Sequence, residues 1–243
     1  MTQFNNQIHF TMQGKGGVGK SLCAAIQVQY FQSKTPNVLA FDTDPVNDTL
    51  TQYVALKAKP VPILDKSKNI NARAFDQLME QLLQNEGVSI VDNGASTFVP
   101  LMAYMAENNV SAVLKEAGKT LYIHSVITGG QAFDDTLNGL QIMVNAHKGP
   151  VVVWENEFFG EVAKDGKTFQ QSNLFSKVKQ SIPGIITLQK RNPDTFGADM
   201  ELMVKNKMTF DQAIASDQFA IMAKQRLKMM KADIFEQLDK IQF

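Results

Sequence analysis

The sequence predicts an α/β fold: a doubly wound, mainly parallel sheet with helices on both faces. Three observations carry that prediction. Short β-rich runs alternate with longer helical patterns from one end of the chain to the other. A glycine-rich segment follows the first such run directly and opens a helix. The run Val151-Val152-Val153-Trp154 shows no polar alternation, as expected of a strand buried on both faces, and its place should be central.

The predicted strands are Ile8–Met12, Val38–Asp42, Val88–Asp92, Thr120–Ile127, Val151–Glu155 and Ile185–Leu188, all short and β-rich. Between them Lys20–Ser33, Asn71–Glu86, Phe98–Ala117, Gln131–Ala146 and Thr168–Gln180 are each long enough to be a crossover helix. Lys57–Pro62 carries two prolines, which cannot donate to a sheet ladder, and reads as a loop or edge element. Over residues 217–243, Phe219, Met222, Leu227, Met230, Ile234, Leu238 and Ile241 recur at helical spacing with lysines between them. That pattern predicts a carboxy-terminal helix packed on the domain, with a membrane-surface or partner helix as the alternative.

Composition narrows the function. The 243 residues include 24 basic and 24 acidic side chains, so the net charge is zero; the basic excess of a nucleic-acid binder working by bulk charge is missing, and local basic patches stay open. At 44% hydrophobic and 20% charged, with no polar linker or repeat, residues 1–243 read as one globular domain. A single cysteine, Cys23, rules out an internal disulfide, a four-thiolate zinc site and a self-sufficient iron–sulfur site. No window reaches the roughly 18 apolar residues of a spanning helix, and MTQFNNQIHF lacks an export pattern. A soluble cytoplasmic protein is expected, with peripheral contact at the inner membrane face left open. His9, His124 and His147 are scattered without ligand spacing and read as ordinary strand or surface histidines. Trp154, the Phe158-Phe159 pair, Met200, Met203 and Met208 read as core.

Gly14-Lys15-Gly16-Gly17-Val18-Gly19-Lys20-Ser21 satisfies G-x-x-x-x-G-K-[ST] between a strand and a helix. Glycines let the backbone form a nest of inward N–H groups, and the helix amino terminus adds partial positive charge beside a polyphosphate. Lys20 is expected to neutralise the β- and γ-phosphates and Ser21 to ligate magnesium. With Leu22 at the start of the helix, residues 14–22 form the expected nucleotide-binding set. Further on, Asp42-Thr43-Asp44-Pro45 ends one strand with two carboxylates on the same side, and Ser89-Ile90-Val91-Asp92 ends another in the carboxylate expected opposite a phosphate loop. Gly94, in Asn93-Gly94-Ala95-Ser96, can bring a backbone N–H close to a γ-phosphate.

The KGGVGKS loop resembles the deviant Walker A loop of the MinD/ParA family of P-loop ATPases. That resemblance implies a slow, magnesium-dependent ATPase that dimerises around two ATP molecules, with Lys15 reaching the partner subunit's phosphates. It assigns Asp44 to positioning the attacking water and Asp42 to supporting the magnesium and the switch region. It also assigns Asn156, after its strand, to the adenine edge, although asparagine equally favours a turn there. The absence of proline after Asp92 departs from the family pattern. A guanine-specific N-K-x-D is missing, so ATP is preferred to GTP.

The segments DTDPVN at 42–47, DNGAS and FVP at 92–100, HSVITGGQA at 124–132 and TFDQA with IMAKQRLK at 209–228 further resemble a family of conjugal-transfer proteins of plasmid mating systems. This implies a switch in DNA transfer, with components of a conjugal apparatus as partners; DNA or membrane contact is not indicated by the net charge. Two other classes stay open: an ATP-dependent ligase or kinase with a small acceptor near residues 128–132, and a nucleotide-gated adaptor with little hydrolysis. At 128–132 a plain strand-to-helix turn capped by Thr128 is the simpler reading.

Overall fold

Strand β1 (Gln7–Met12) is buried along its whole length, because it lies at the middle of a seven-stranded sheet. The computed structural model describes residues 4–243; residues 1–3, the start of the stretch read for an export pattern, lie outside them. In chain order the elements after β1 are α1 (Lys20–Lys34), β2 (Val38–Asp42), β3 (Lys59–Pro60), α2 (Ala72–Gln84), β4 (Val88–Asp92), α3 (Phe98–Glu107), α4 (Val110–Glu116) and β5 (Thr120–Thr128). There follow α5 (Phe133–His147), β6 (Val151–Asn156), the hairpin strands β7 (Ala163–Lys164) and β8 (Lys167–Thr168), α6 (Asn173–Val178), β9 (Ile185–Leu188), α7 (Ala198–Lys205), α8 (Phe210–Ala215) and α9 (Ile221–Asp239).

The sheet order is β3-β2-β4-β1-β5-β6-β9, with every neighbouring pair parallel. One face packs against α1 and α7 to α9 through Val28, Phe31, Trp154, Leu227 and Leu238; the other packs against α2 to α6 through Phe10, Phe75, Leu101, Leu140 and Val153. All six strands expected from the sequence are present within a residue of their boundaries, and the proline-bearing Lys59–Pro60 is one of the two edge strands. The unalternating β6 is buried on both faces but is not central: it is the second strand from the edge. Helices on both sides bury it, so its apolar run reports coverage of its faces and says nothing of its rank in the sheet.

Helical boundaries differ more. The stretch Phe98–Ala117 divides at Asn108-Asn109, where Asn109 has φ 48°, a left-handed conformation that asparagine tolerates and a continuous helix does not. Thr168–Gln180 yields only the six-residue α6 with short 3₁₀ turns around it. The β7–β8 hairpin turns on Asp165-Gly166, both at positive φ, the Asp-Gly signature of a tight turn. Helix α9 packs on the domain through Leu227, Ile234 and Leu238, with Phe219 and Ile241 buried beyond its ends; Met222 faces outward at 60% exposure.

Two of the three histidines meet in space. His9 and His124 are fully buried neighbours, with His9 Nδ1 2.9 Å from His124 Nε2. Trp154 Nε1 can only donate, and it donates to His124 Nδ1 at 2.9 Å. This places the His124 proton on Nε2, from which it is donated to His9 Nδ1, and the His9 proton on Nε2, facing the Gln7 Oε1 atom at 3.3 Å. Both rings are thereby neutral. Burial holds each well below the usual histidine range, His124 at about 3, with the neighbouring His124 adding to the effect on His9.

Candidate functional site

The carboxyl ends of β1, β2 and β4 meet at one edge of the sheet, and register fixes what stands there. Thr11 pairs with Asp92, and Asp92 pairs with Asp42, so the two carboxylates are level on adjacent strands beside the loop that leaves β1. Loop residues Gly17 and Gly19 take φ of 75° and 99°, which side-chain-bearing residues rarely adopt. The loop leads directly into α1, whose first residue is Lys20. Gln13, which no motif marks, anchors the loop: its Nε2 donates to Val126 and Thr136 carbonyls, and its Oε1 accepts from Gly14 N at 2.9 Å.

Lys20 is buried and folds back over the loop, donating to the Lys15 carbonyl at 3.0 Å. Burial lowers its pKa, against the opposing pull of Asp92 and Asp44. Asp92 is 1% exposed, and neither carboxylate oxygen has a partner at hydrogen-bond geometry, although the Ser21 hydroxyl and Lys20 ammonium are neighbours. Burial pushes it up to about 7; Ser21 and Lys20 pull it down, and Asp42 and Asp44 add to the rise. A buried carboxylate with free lone pairs beside a hydroxyl is a fit for a hard cation that shares its shell with phosphate oxygens and water. Among the described residues no group of three or more His, Cys, Asp or Glu gathers to hold a metal without such help.

Asp42 is occupied differently. Its Oδ2 accepts from Leu50 N and Thr51 N at 2.8 and 3.2 Å, and its Oδ1 from Asp44 N at 3.0 Å. Desolvation raises its pKa while these amides oppose the rise. Its contacts are therefore with the segment after β2, and a direct bond to a metal would displace them. Asp44 is half-exposed and caps the turn that follows, accepting from Val46 N at 2.9 Å and Asn47 N at 3.3 Å. Gly94 is pressed against it: a Cβ on Gly94 would stand 2.7 Å from Asp44 Cγ. Lys15 points away from its own loop, to Asp135 at the start of α5, 2.8 Å away.

Next to the loop opens a cavity of about 530 Å³, mostly apolar, whose walls include Gly19, Leu22, Asn156, Arg191, Phe196 and Met200. Phe158 and Phe159, expected in the core, stand at its wall 72% and 50% exposed, in an edge-to-face pair. The reason is local: β6 ends in a 3₁₀ turn, Glu157–Phe159, which lifts both rings off the sheet. Arg191 lies over the Phe196 ring at 5.2 Å and pairs with Asp233 of α9. Gly19, Leu22 and Asn156 are wall residues that the sequence marks, whereas Arg191 and Phe196 follow no sequence pattern; Met203 and Trp154 are buried as expected, while Met200 and Met208 are partly buried. At 128–132 Thr128 caps nothing, donating instead to the Gly129 carbonyl, and Gly129 is packed against the 160–161 backbone so closely that a Cβ would stand 2.2 Å from the Glu161 oxygen.

The chain is 41% identical over 235 residues to each of two proteins from Escherichia coli named Protein TraL, covering 96% of this chain and 97% of each of them. In structure it is similar to the MinD cell division protein of Aquifex aeolicus, with a TM-score of 0.54 and 16% identity over 93% of this chain and 95% of that one. It is also similar to a putative plasmid partition protein of Borrelia burgdorferi B31 bound to AMPPNP, with a TM-score of 0.50 and 16% identity over 96% and 98% of the two chains. No family model matches the chain. Identity at that level along nearly the whole length of both chains, together with the parallel sheet and its glycine loop, means that this chain belongs to the TraL family and has the fold of the MinD/ParA-type P-loop ATPases.

Proposed function

We propose that the chain is a magnesium-dependent ATP-binding protein and slow ATPase that dimerises around ATP and acts as a switch in plasmid conjugal DNA transfer. The observation that carries this reading is the pairing of a positive-φ glycine loop and buried Lys20 with the unpartnered carboxylate of Asp92. Conjugation enters through the TraL relatives, and the AMPPNP-bound neighbour supports an adenine nucleotide. Residues 14–22 would wrap the phosphates, Lys20 leaving the Lys15 carbonyl for phosphate oxygens. Ser21 and Asp92 would hold magnesium, whose charge offsets that of the phosphates, and Asp42 would support the site through the segment it anchors. Asp44 would orient water for attack on the γ-phosphorus, breaking the bond to the ADP oxygen. Lys15 would leave Asp135 for the phosphates of a second copy, and components of the conjugal apparatus would read the dimer.

A ligase or kinase needs an acceptor pocket, and the tight packing at Gly129 favours a structural turn there. No helix among the described residues is long and apolar enough to cross a membrane. We place the protein in the cytoplasm, where peripheral membrane contact is compatible with this reading. The test is light-scattering mass with magnesium and no nucleotide, ADP or a non-hydrolysable ATP analogue. Doubling with the analogue alone, and no doubling in Lys15→Ala, is expected; a monomer that binds ATP and never doubles would remove the dimer and the role of Lys15.

A further inference from the structure

We propose that Asn156 is a positioning residue for the phosphate loop, holding the triphosphate cradle to the rigid end of β6, and is not simply a reader of the base. The inference rests on the phosphate-binding role proposed above. Asn156 Nδ2 donates to the Val18 carbonyl at 2.9 Å, across 138 residues of sequence. Val18 stands between Gly17 and Gly19, both at positive φ. A loop that turns its amides inward must turn carbonyls outward, and an outward carbonyl under a buried side chain needs a donor.

Asn156 is placed to be that donor. It ends β6, in register with Thr128 of β5 and Leu188 of β9, so its Cα is fixed from both sides. Its side chain is buried, and its Oδ1 accepts from Phe158 N at 3.2 Å, which fixes the plane of the amide. Gly19 makes the approach possible: a Cβ there would lie 2.8 Å from Nδ2. The same residue lines the cavity. One amide therefore joins the loop, the sheet and the cavity wall.

Magnesium tripolyphosphate, which has no base, separates the two roles. Its affinity and that of MgATP are measured by calorimetry for the wild type, Asn156→Ala and the isosteric Asn156→Asp, each checked for folding by its melting curve. Loss of the donor leaves a buried carbonyl unpaired, and the Asn156→Asp change sets a carboxylate against it; about tenfold weakening of both ligands, in equal ratio, is expected. Weakening of MgATP with tripolyphosphate unchanged, or no change in either, overturns the proposal. Should the alanine variant fail to fold, the aspartate variant gives the same ratio. Wild-type protein that binds neither ligand would remove the phosphate-site reading and this inference with it, whereas loss confined to MgATP removes this inference alone.

Discussion

Lys15 and Asp135 form an ion pair within one chain, Nζ to Oδ2 2.8 Å, with both side chains about half exposed. The proposed dimer needs that same ammonium elsewhere, so the pair competes with dimerisation. Exposed pairs of this kind contribute about 0.2–1 kcal/mol. Two such pairs open per dimer, so Asp135→Asn should tighten the ATP-dependent dimer by up to about thirtyfold while the monomer melts within about 2–4 °C of wild type. Sedimentation equilibrium reads the first effect and thermal unfolding the second; weaker dimerisation would show that Asp135 aids the dimer.

Asp44 and Gly94 share too little space for a side chain on Gly94, as the 2.7 Å approach to Asp44 Cγ demonstrates. Asp44→Ala should bind MgATP with near-parental affinity and trap the ATP-bound dimer, with phosphate release at least tenfold slower. Gly94→Ala should reproduce that phenotype by displacing Asp44. Hydrolysis at the parent rate in Asp44→Ala would falsify the role given to that carboxylate.

Asp92 has no partner at hydrogen-bond geometry for either oxygen and sits in a desolvated site. Removing this desolvated charge relieves a cost that Ser21 and Lys20 offset only in part and a bound cation would offset further. Asp92→Asn is expected to melt at or above the wild-type temperature without ligands, yet to lose at least tenfold in magnesium-dependent ATP affinity. Destabilisation of the ligand-free protein would mean that the carboxylate is already satisfied.

The His9–His124 pair is neutral in the fold and takes up protons when released. Both folded pKa values lie below the unfolded value near 6.5, His124 at about 3, so the unfolded chain binds more protons below that pH. The pair's contribution is fully present above about pH 6.5 and is lost progressively as pH falls towards 3. Melting temperature should fall from pH 7 to pH 5 more steeply in wild type than in His9→Gln/His124→Gln, which has nothing to protonate there. Parallel slopes would contradict the buried neutral pair.

Local chemistry made much of this protein legible from its residues. The glycine loop is written in consecutive positions, because each backbone conformation it needs excludes most side chains. The strands are likewise legible, since burial on both faces leaves unbroken apolar runs such as Val151–Trp154, and the carboxylates Asp42 and Asp92 stand at strand carboxyl ends, the edge at which open α/β sheets generally take ligands. These features determined the fold class and the phosphate loop.

Tertiary structure alone decided which distant groups meet. His9 lies 115 residues from His124, Lys15 lies 120 from Asp135, and Asn156 lies 138 from Val18. Each meeting depends on strand order and register, which no periodicity encodes. The exposure of Phe158 and Phe159 depends on a turn that lifts them from the sheet, and the cavity depends on α7 and α9 closing over the end of β9. Sequence specifies local conformation through steric and periodic constraints, whereas the partners of a buried donor or charge are set by which strands the fold places side by side.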